Sequence, residues 1–248
     1  MRLQDKVALV TGGASGFGAE IVRVFANEGA HVAIVDLNED GARSLSAEVG
    51  KTSIAIKCDV SSAADVRNAV EATRTRFGRL DIVINNAGTT HRNKPMLEVT
   101  EDEFDRVYAV NVKSLFHMAH AAVPIMRAQG GGSMLNVGST AGLRPRPGLT
   151  WYNGSKGAAN LLTKSMAVEL APDKIRVNGL APVAGDTPLL PMFLGSDTPE
   201  VRAKFIASIP LGRFSKPSDV ASSALFLSSD EAEFLTGVLL EVDGGRTI

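Results

Sequence analysis

Three side chains in the middle of this 248-residue sequence have the types needed to move a proton and to stabilise a negatively charged oxygen. Tyr152 carries a phenol, a possible general acid or base, but its ordinary pKa of about 10 is too high for a base near neutrality. Lys156 follows four residues later, so on a helix both side chains share one face and the ammonium would lower the pKa of the phenol. Ser139, thirteen residues before Tyr152, can donate a hydrogen bond to an oxygen on which charge develops. Such a group suits the transfer of a proton to or from an oxygen atom of a substrate.

A glycine-rich segment near the N-terminus predicts a site for a dinucleotide. The strand-like run Val7–Val10 leads into Thr-Gly-Gly-Ala-Ser-Gly-Phe-Gly, after which a helical pattern begins. Glycines let the backbone approach a pyrophosphate closely, and a helix N-terminus offers unpaired N–H groups to it. We therefore expect cofactor contacts from one short segment, namely Gly12, Ser15, Gly16, Phe17 and Gly18.

Asp36 indicates which dinucleotide the site would accept. It ends the next strand-like run, 24 residues after Gly12. A carboxylate there can accept hydrogen bonds from both hydroxyls of the adenosine ribose, and it would repel a 2′-phosphate. The alternative is a helix N-cap or a loop acid. The position favours NAD over NADP.

Short β-branched runs alternate with amphipathic stretches along the whole chain. The predicted strands are Val7–Val10, Val32–Asp36, Ser53–Lys57, Ile82–Asn85, Ser133–Val137, Arg176–Leu180 and Val238–Val242. Helical patterns include Gly18–Asn27, Ala63–Arg76, Glu101–Arg127, Gly154–Leu170 and Pro217–Ser228. This alternation predicts an α/β protein: a single-domain doubly wound Rossmann fold over residues 1–248, with a seven-stranded parallel sheet and helices on both faces.

One long segment, Ala181–Pro210, interrupts the alternation. It is rich in Pro, Gly and Thr and carries an apolar cluster formed by Leu189, Leu190, Met192, Phe193 and Leu194. A structureless loop of this length is unusual in a compact domain. We expect a partly helical lid over the substrate at about residues 183–210.

Composition excludes several classes of function. The net charge of −1 gives no electrostatic footprint for nucleic acid, and no apolar span is long enough for a membrane helix. The only cysteine, Cys58, cannot form an intramolecular disulfide, which suits a cytoplasmic location. His117 and His120 lie three residues apart without a third ligand nearby, so no metal site is expected.

The spacing T-G-x-x-x-G-x-G resembles that of the classical short-chain dehydrogenase/reductase family. Further motifs of the family occur in order along essentially the whole chain: Asp59-Val60, Asn85-Asn86-Ala87-Gly88, Ser139, Tyr152-Asn-Gly-Ser-Lys156 and Asp243-Gly-Gly. Within the family the sequence is similar to 3-oxoacyl-carrier-protein reductases. Stretches such as NNAGTTHRNKP also look like dehydrogenases of aromatic alcohols and aldehydes, including the 4-formylbenzenesulfonate type.

The resemblance assigns roles to residues that match the family's motifs. Asn111 would complete a proton relay through a water to Lys156, which would also hold the nicotinamide ribose. Further cofactor contacts would come from Leu37, Asp59, Val60, Asn86, Ala87, Gly88, Tyr152, Pro182, Val183 and Thr187. Val183 replaces the family's glycine, so its N–H would still serve the carboxamide but its conformation is restricted. The resemblance also implies a homotetramer, in which Glu101–Arg127 and Gly154–Leu170 form one dimer interface.

The substrate would be a small carbonyl or alcohol compound, either a 3-oxoacyl thioester or an aromatic or secondary alcohol or aldehyde. An anionic group on it could pair with Arg92, Arg144 or Arg146, which lie in two loops flanking the predicted site near Trp151. These arginines could equally be solvated loop charges. A competing hypothesis is a non-catalytic NAD-binding regulator or scaffold on the same fold, since fold does not fix function. A regulator of this kind is expected to have lost its catalytic residues, whereas Ser139, Tyr152 and Lys156 are all present.

Overall fold

Seven short strands form one parallel sheet in the order β3-β2-β1-β4-β5-β6-β7 in the computed structural model, which describes residues 1–248. The strands are β1 (Val7–Thr11), β2 (His31–Asp36), β3 (Ser53–Lys57), β4 (Ile82–Asn85), β5 (Gly132–Val137), β6 (Ile175–Pro182) and β7 (Leu239–Val242). All seven lie where the sequence predicts strands, with ends that differ by two residues at most. The order confirms the predicted doubly wound Rossmann fold.

The chain forms nine α-helices. They are α1 (Gly16–Asn27), α2 (Glu39–Val49), α3 (Ala63–Phe77), α4 (Glu101–Tyr108), α5 (Ser114–Ala128), α6 (Thr150–Leu170), α7 (Leu190–Leu194), α8 (Pro199–Ile206) and α9 (Pro217–Ser228). Of these, α1, α2, α3, α5, α6 and α9 cover the two faces of the sheet. None of the nine combines the length and the apolarity needed to cross a bilayer.

Alternate strand residues enter two separate cores. Val10 of β1 packs with α1, α2 and α9 on one face, whereas Leu9 packs with α3, α5 and α6 on the other. Because both faces are covered, the strands are almost continuously apolar, as the sequence shows. The two cores hold the sheet rigid and fix the positions of the loops at its carboxyl edge.

The position of the ligand crevice follows from the strand order. β1 pairs with β2 on one side and with β4 on the other. The chain therefore leaves β1 in one direction and β4 in the opposite direction, which opens a crevice beyond the carboxyl ends of these strands.

The predicted helical stretch Glu101–Arg127 is present, but it is not α-helical throughout. α4 ends at Tyr108, a π-helical turn spans Ala109–Lys113, and α5 begins at Ser114. A π turn accommodates an extra residue within the helical path, and such turns are frequent at functional sites. It lies beside the crevice and contains Asn111.

The segment after β6 contains two short helices, α7 and α8, as expected of a partly helical segment. Leu190 and Leu194 of α7 pack on Phe214 in a small apolar cluster of their own, which accounts for most of the apolar residues noted in the sequence. A covering function for this segment stays a prediction.

Candidate active site

A cavity of about 530 Å³ opens at the carboxyl edge of the sheet. Nearly all predicted site residues line it, namely Gly12, Ser15, Gly16, Phe17, Asp36, Leu37, Asp59, Val60, Asn86, Ala87, Gly88, Ser139, Tyr152, Lys156, Pro182, Val183 and Thr187. Two predicted residues, Gly18 and Asn111, do not line it. Residues that are far apart in sequence therefore converge on one crevice.

The glycine turn after β1 has the shape that a dinucleotide needs. Gly12 and Gly16 adopt φ of 61° and 53°, which side chains rarely tolerate, and a Cβ on Gly12 would stand 2.9 Å from the Cα of Ala87. α1 follows at once, and its N-cap Ser15 makes no side-chain capping bond. The first amides of α1 therefore have no side-chain acceptor, so they are free to bind a phosphate. These residues fit the predicted cofactor.

Gly18 serves a different purpose from the one predicted. A Cβ there would stand 2.1 Å from the carbonyl oxygen of Gly12 and 2.5 Å from the side chain of Asn86. Gly18 therefore allows α1 to pack closely against the turn and does not face the cavity, which corrects its assignment as a direct contact.

Asn86, in the turn after β4, hydrogen-bonds to the turn after β1. Its side-chain amide donates to the carbonyl oxygens of Thr11 and Gly12 at 2.9 and 3.1 Å. Thr11 Oγ1 in turn accepts from the backbone N–H groups of Asn86 and Ala87 at 3.0 and 3.1 Å. The two crevice walls are thus joined before any ligand binds.

Asp36 lies at the cavity edge and also organises its own loop. Its two carboxylate oxygens accept from the backbone N–H groups of Ala14 at 2.9 Å and Asn38 at 2.8 Å. Asp36 therefore does bind its own loop, as the alternative interpretation predicts. Each carboxylate oxygen can accept more than one bond, so capacity for ribose hydroxyls remains.

Asp59 and Val60 form the wall opposite the glycine turn. One carboxylate oxygen of Asp59 accepts from the N–H and the hydroxyl of Ser61 at 2.9 and 2.7 Å. The second oxygen has no protein partner and could accept from an adenine amino group, as the resemblance implies. Val60 is buried and supplies an apolar surface for a base.

Tyr152 and Lys156 both lie on α6 and are both buried against the cavity wall. The ammonium of Lys156 donates to the carbonyl oxygen of Val137, the last residue of β5, at 2.9 Å. Ser139 follows two residues later, and its hydroxyl accepts from the N–H of Ala141 at 3.0 Å. Its O–H is then available to donate to the neighbouring phenol of Tyr152 or to a ligand. The strand end and one helix face thus bring a phenol, an ammonium and a hydroxyl together.

The protein alone disfavours charge on both members of this pair. Burial raises the pKa of Tyr152 to about 12, although the neighbouring Ser139 hydroxyl acts in the opposite direction. Burial lowers the pKa of Lys156 to about 8. The lowering of the phenol pKa that is expected from Lys156 together with a bound nicotinamide is not seen in the protein alone, where loss of water around the phenolate dominates.

Asn111 fixes the loop after β4. Its side-chain oxygen accepts from the N–H of Thr89 at 2.8 Å, and its amide donates to the carbonyl of Thr89 and to Ser155 Oγ, each at 2.9 Å. Both amide donors are used in this way. Asn111 Oδ1 and Lys156 Nζ lie 3.5 and 3.3 Å from the point where a Cβ on Gly88 would stand, so both flank this glycine.

The expectation for Val183 was wrong, and a nearby residue was missed. The N–H of Val183 donates to the carbonyl of Val242 at 3.2 Å and is not available to a carboxamide. The N–H of Gly185, which lines the cavity, has no partner in the protein. A Cβ on Gly185 would stand 2.3 Å from the ring of Phe17, so a larger residue would force this side chain to move. The sequence feature that could have revealed Gly185 is a glycine three residues after Pro182, whereas the family's glycine directly follows the proline.

Comparison with known proteins agrees with this arrangement. A family model described as enoyl-(acyl carrier protein) reductase matches residues 12–247. The chain is 54% identical to 4-formylbenzenesulfonate dehydrogenase of Comamonas testosteroni, over 100% of both chains. A crystal structure of 3-ketoacyl-(acyl-carrier-protein) reductase from Brucella melitensis, complexed with NADH, is 46% identical and covers 99% of this chain and 100% of its own, with a TM-score of 0.95. A short-chain type dehydrogenase/reductase from Mycobacterium marinum is 33% identical, covers 99% and 96%, and has a TM-score of 0.92. With likeness over its full length in both sequence and structure, this chain belongs to the short-chain dehydrogenase/reductase family of oxidoreductases.

Proposed function

We propose that this protein is an NAD-dependent oxidoreductase that interconverts an alcohol and a carbonyl compound, with Tyr152 as the general acid and base. The observation that carries the proposal is the convergence of Ser139, Tyr152 and Lys156 on the cavity that begins at the glycine turn. Bound NAD would accept the hydride from the alcohol carbon, or return it to the carbonyl carbon as NADH. Proton transfer and the positioning of the substrate would be carried out by residues of the chain.

The roles of the three side chains follow from their contacts. The phenol of Tyr152 would remove the proton from the alcohol oxygen, or supply it in the reverse direction. Ser139, whose O–H is available to donate, would hold that oxygen and stabilise its developing charge. Lys156, fixed by the carbonyl of Val137, would place a positive charge beside the phenol and bind the nicotinamide ribose.

Support for NAD comes from the acidic end of β2. Asp36 lines the cavity, and a carboxylate there would repel the 2′-phosphate of NADP. Burial of the Val60 side chain and the free oxygen of Asp59 support an adenine position beside them. For the carboxamide, the unpaired N–H of Gly185 replaces that of Val183 as the proposed donor.

The substrate end of the cavity favours an apolar or aromatic compound. Leu189, Leu190 and Phe193 line it, and the Phe193 ring meets that of Tyr152 edge-on with centroids 5.8 Å apart. An aromatic alcohol or aldehyde is therefore the first candidate, in line with the similarity to 4-formylbenzenesulfonate dehydrogenase. A 3-oxoacyl thioester is the second, supported by the similarity to the Brucella reductase.

The experiment is a turnover assay at the absorbance band of reduced nicotinamide. Aromatic alcohols, the corresponding aldehydes and acetoacetyl thioesters would be tested with both NAD and NADP. We expect turnover of an aromatic pair and a higher kcat/KM with NAD. Tight NAD binding without turnover of any compound would instead favour the non-catalytic regulator.

We also infer a homotetramer in the cytoplasm. The support for assembly is the exposure of apolar side chains on two long helices, with Phe116 of α5 57% exposed and Leu161 and Val168 of α6 66% and 81% exposed. Leu161 and Val168 are seven residues apart, so they share one face of α6. His117 and His120 lie beside Phe116, which suits an interface more than a metal site.

A further inference from the structure

Three arginines next to the cavity, none of which lines it, make no ion pair. Arg144 and Arg146 lie in the loop before α6, and Arg246 lies in the C-terminal segment after β7. None of the three has a carboxylate within salt-bridge distance, although ten other Arg and Lys side chains do. The nearby acid Asp243 is occupied by its own turn, since it accepts from the N–H groups of Gly245 and Thr247. Asp243 still offsets part of the positive charge of Arg246, but no carboxylate pairs directly with any of the three guanidinium groups.

Two of these guanidinium groups are also short of hydrogen-bond acceptors. Arg146 and Arg246 each bury an Nη1 atom that has no partner in the protein. A buried donor without an acceptor is costly, and more so when it carries charge. Burial lowers the pKa of Arg146, and the positive charge of Arg246 lowers it further. An anion between them would remove both penalties.

The position of Arg146 links this group to the reaction centre. Its guanidinium carbon stands 5.1 Å from the centroid of Phe193 and 4.7 Å from that of Phe205. Phe193 in turn meets Tyr152 edge-on. One aromatic ring, that of Phe193 in α7, therefore contacts both Arg146 and the phenol of Tyr152.

Neighbouring contacts hold the two loops together at this point. Arg144 donates from Nη1 to the carbonyl oxygen of Arg246, and Asn153, beside Tyr152, donates to the carbonyl oxygen of Arg146 at 2.8 Å. Arg144 therefore positions Arg246, and α6 positions Arg146. Arg92, the third arginine considered from sequence, donates to the carbonyl oxygen of Gly195 at 2.7 Å and lies outside this group.

We propose that Arg146 and Arg246 form a binding site for a sulfonate or carboxylate at the far end of an aromatic substrate whose carbonyl or alcohol group lies at Tyr152. This inference rests on the proposed function, because it places the substrate ring beside Phe193. Arg146 and Arg246 would then determine specificity for the substrate, and no sequence motif points to Arg246. Guanidinium groups suit such anions because they offer paired donors in a plane.

The test compares two aldehydes that differ in charge but hardly in shape. They are 4-formylbenzenesulfonate and the neutral 4-(methylsulfonyl)benzaldehyde, each reduced with NADH by wild type, Arg146→Gln and Arg246→Gln. We expect wild type to prefer the sulfonate, and each variant to lose roughly ten- to hundred-fold of that preference in kcat/KM. The kcat/KM for the neutral aldehyde should stay within about threefold. Arg74→Gln, an exposed arginine on α3, is the matched control for loss of one positive charge.

The second measurement does not depend on turnover. Calorimetry would compare the binding of benzenesulfonate and of methyl phenyl sulfone to the same four proteins. Weaker binding of benzenesulfonate alone, in Arg146→Gln and Arg246→Gln, supports the anion site even if no aldehyde is reduced. Equal losses for charged and neutral compounds would overturn it, since Arg146 would then act only by stacking on Phe193 and Phe205. A changed oligomeric state with unchanged discrimination would also overturn it and assign the arginines to a second copy of the chain.

Discussion

Ser139 is the residue whose hydroxyl acts directly on the phenol of Tyr152. Burial raises the pKa of that phenol, and the Ser139 hydroxyl is the one protein group that opposes the shift. Alcohol oxidation by the proposed mechanism needs the phenolate, so its kcat/KM should rise with pH as Tyr152 ionises. The serine therefore affects both the rate and the pH at which the rate rises.

We expect Ser139→Ala to lower kcat by roughly a hundred- to a thousand-fold and to move this rise to higher pH. Both effects follow from losing a donor that favours negative charge. The measurement is the pH profile of alcohol oxidation, with Ser133→Ala at the other end of β5 as the control. A rise at unchanged or lower pH would contradict the assignment of Ser139.

Lys156 gives a prediction about stability. Its pKa in the folded protein is about 8, below the ordinary value of 10.5, because burial disfavours the ammonium. Between these two pH values the unfolded chain binds more protons than the folded chain, so this residue makes stability increase with pH over that window. Its single carbonyl partner does not fully offset the burial of the charge.

Lys156→Met should therefore abolish turnover while increasing the free energy of unfolding at pH 7 by about 1–3 kcal/mol. The gain should shrink between pH 8 and pH 10.5. Urea unfolding at pH 7 and pH 9.5, at one protein concentration, measures both effects. Lys164→Met, an exposed lysine on the same helix, should change stability little at either pH. A clear loss of stability in Lys156→Met would contradict the account.

At the scale of elements, the sheet could be predicted and the turns around the site could not. β4 falls at Ile82–Asn85 as expected, because strands covered on both faces must be nearly continuous apolar runs. The π turn at Ala109–Lys113 leaves no such pattern, since it depends on how Asn111 bonds to Thr89 and Ser155. α2 is largely polar, with only Ala42 and Leu45 buried, and the apolar spacing did not reveal it.

The same limit applies to the candidate site. Residue types and motif order were sufficient to bring Tyr152, Lys156 and Ser139 to one cavity. Motif matching could not show that the N–H of Val183 is used by β7, because β7 lies sixty residues away in sequence and only the folded sheet brings the two together. For the same reason Arg246 could not be associated with Arg146.

The packing of α1 on the glycine turn gives a prediction for this element. Gly18→Ala would place a Cβ 2.1 Å from the carbonyl oxygen of Gly12, so the turn and the helix must separate. We expect a loss of about 1–3 kcal/mol of stability and weaker NAD binding. In the control Gly157→Ala the nearest atom is 3.8 Å away, and helix propensity should make it neutral or slightly stabilising. The measurements are unfolding curves and NAD titrations of both variants. Equal stability and equal NAD affinity of Gly18→Ala and Gly157→Ala would contradict the close packing.

At the scale of the whole molecule, the apolar faces of α5 and α6 are the main unexplained surface. Exposed Leu161 and Val168 would be unfavourable in a monomer and are typical of the core of an oligomer interface. The double substitution Leu161→Glu with Val168→Glu should break the proposed tetramer into smaller species, as measured by light scattering after size-exclusion chromatography. Leu97→Glu, an equally exposed leucine outside these helices, should leave the mass unchanged. A tetramer that survives the double substitution would exclude this interface.

The proposed chemistry depends on one phenol, and the chain offers a matched control because it contains only two tyrosines, Tyr152 and Tyr108. The most direct measurement is single-turnover NADH formation from an aromatic alcohol, together with NAD affinity, in Tyr152→Phe and Tyr108→Phe. We predict that Tyr152→Phe loses at least a hundred-fold in rate and still binds NAD within about threefold of wild type, whereas Tyr108→Phe keeps its rate. Substantial turnover by Tyr152→Phe would contradict the central claim that this hydroxyl carries the proton.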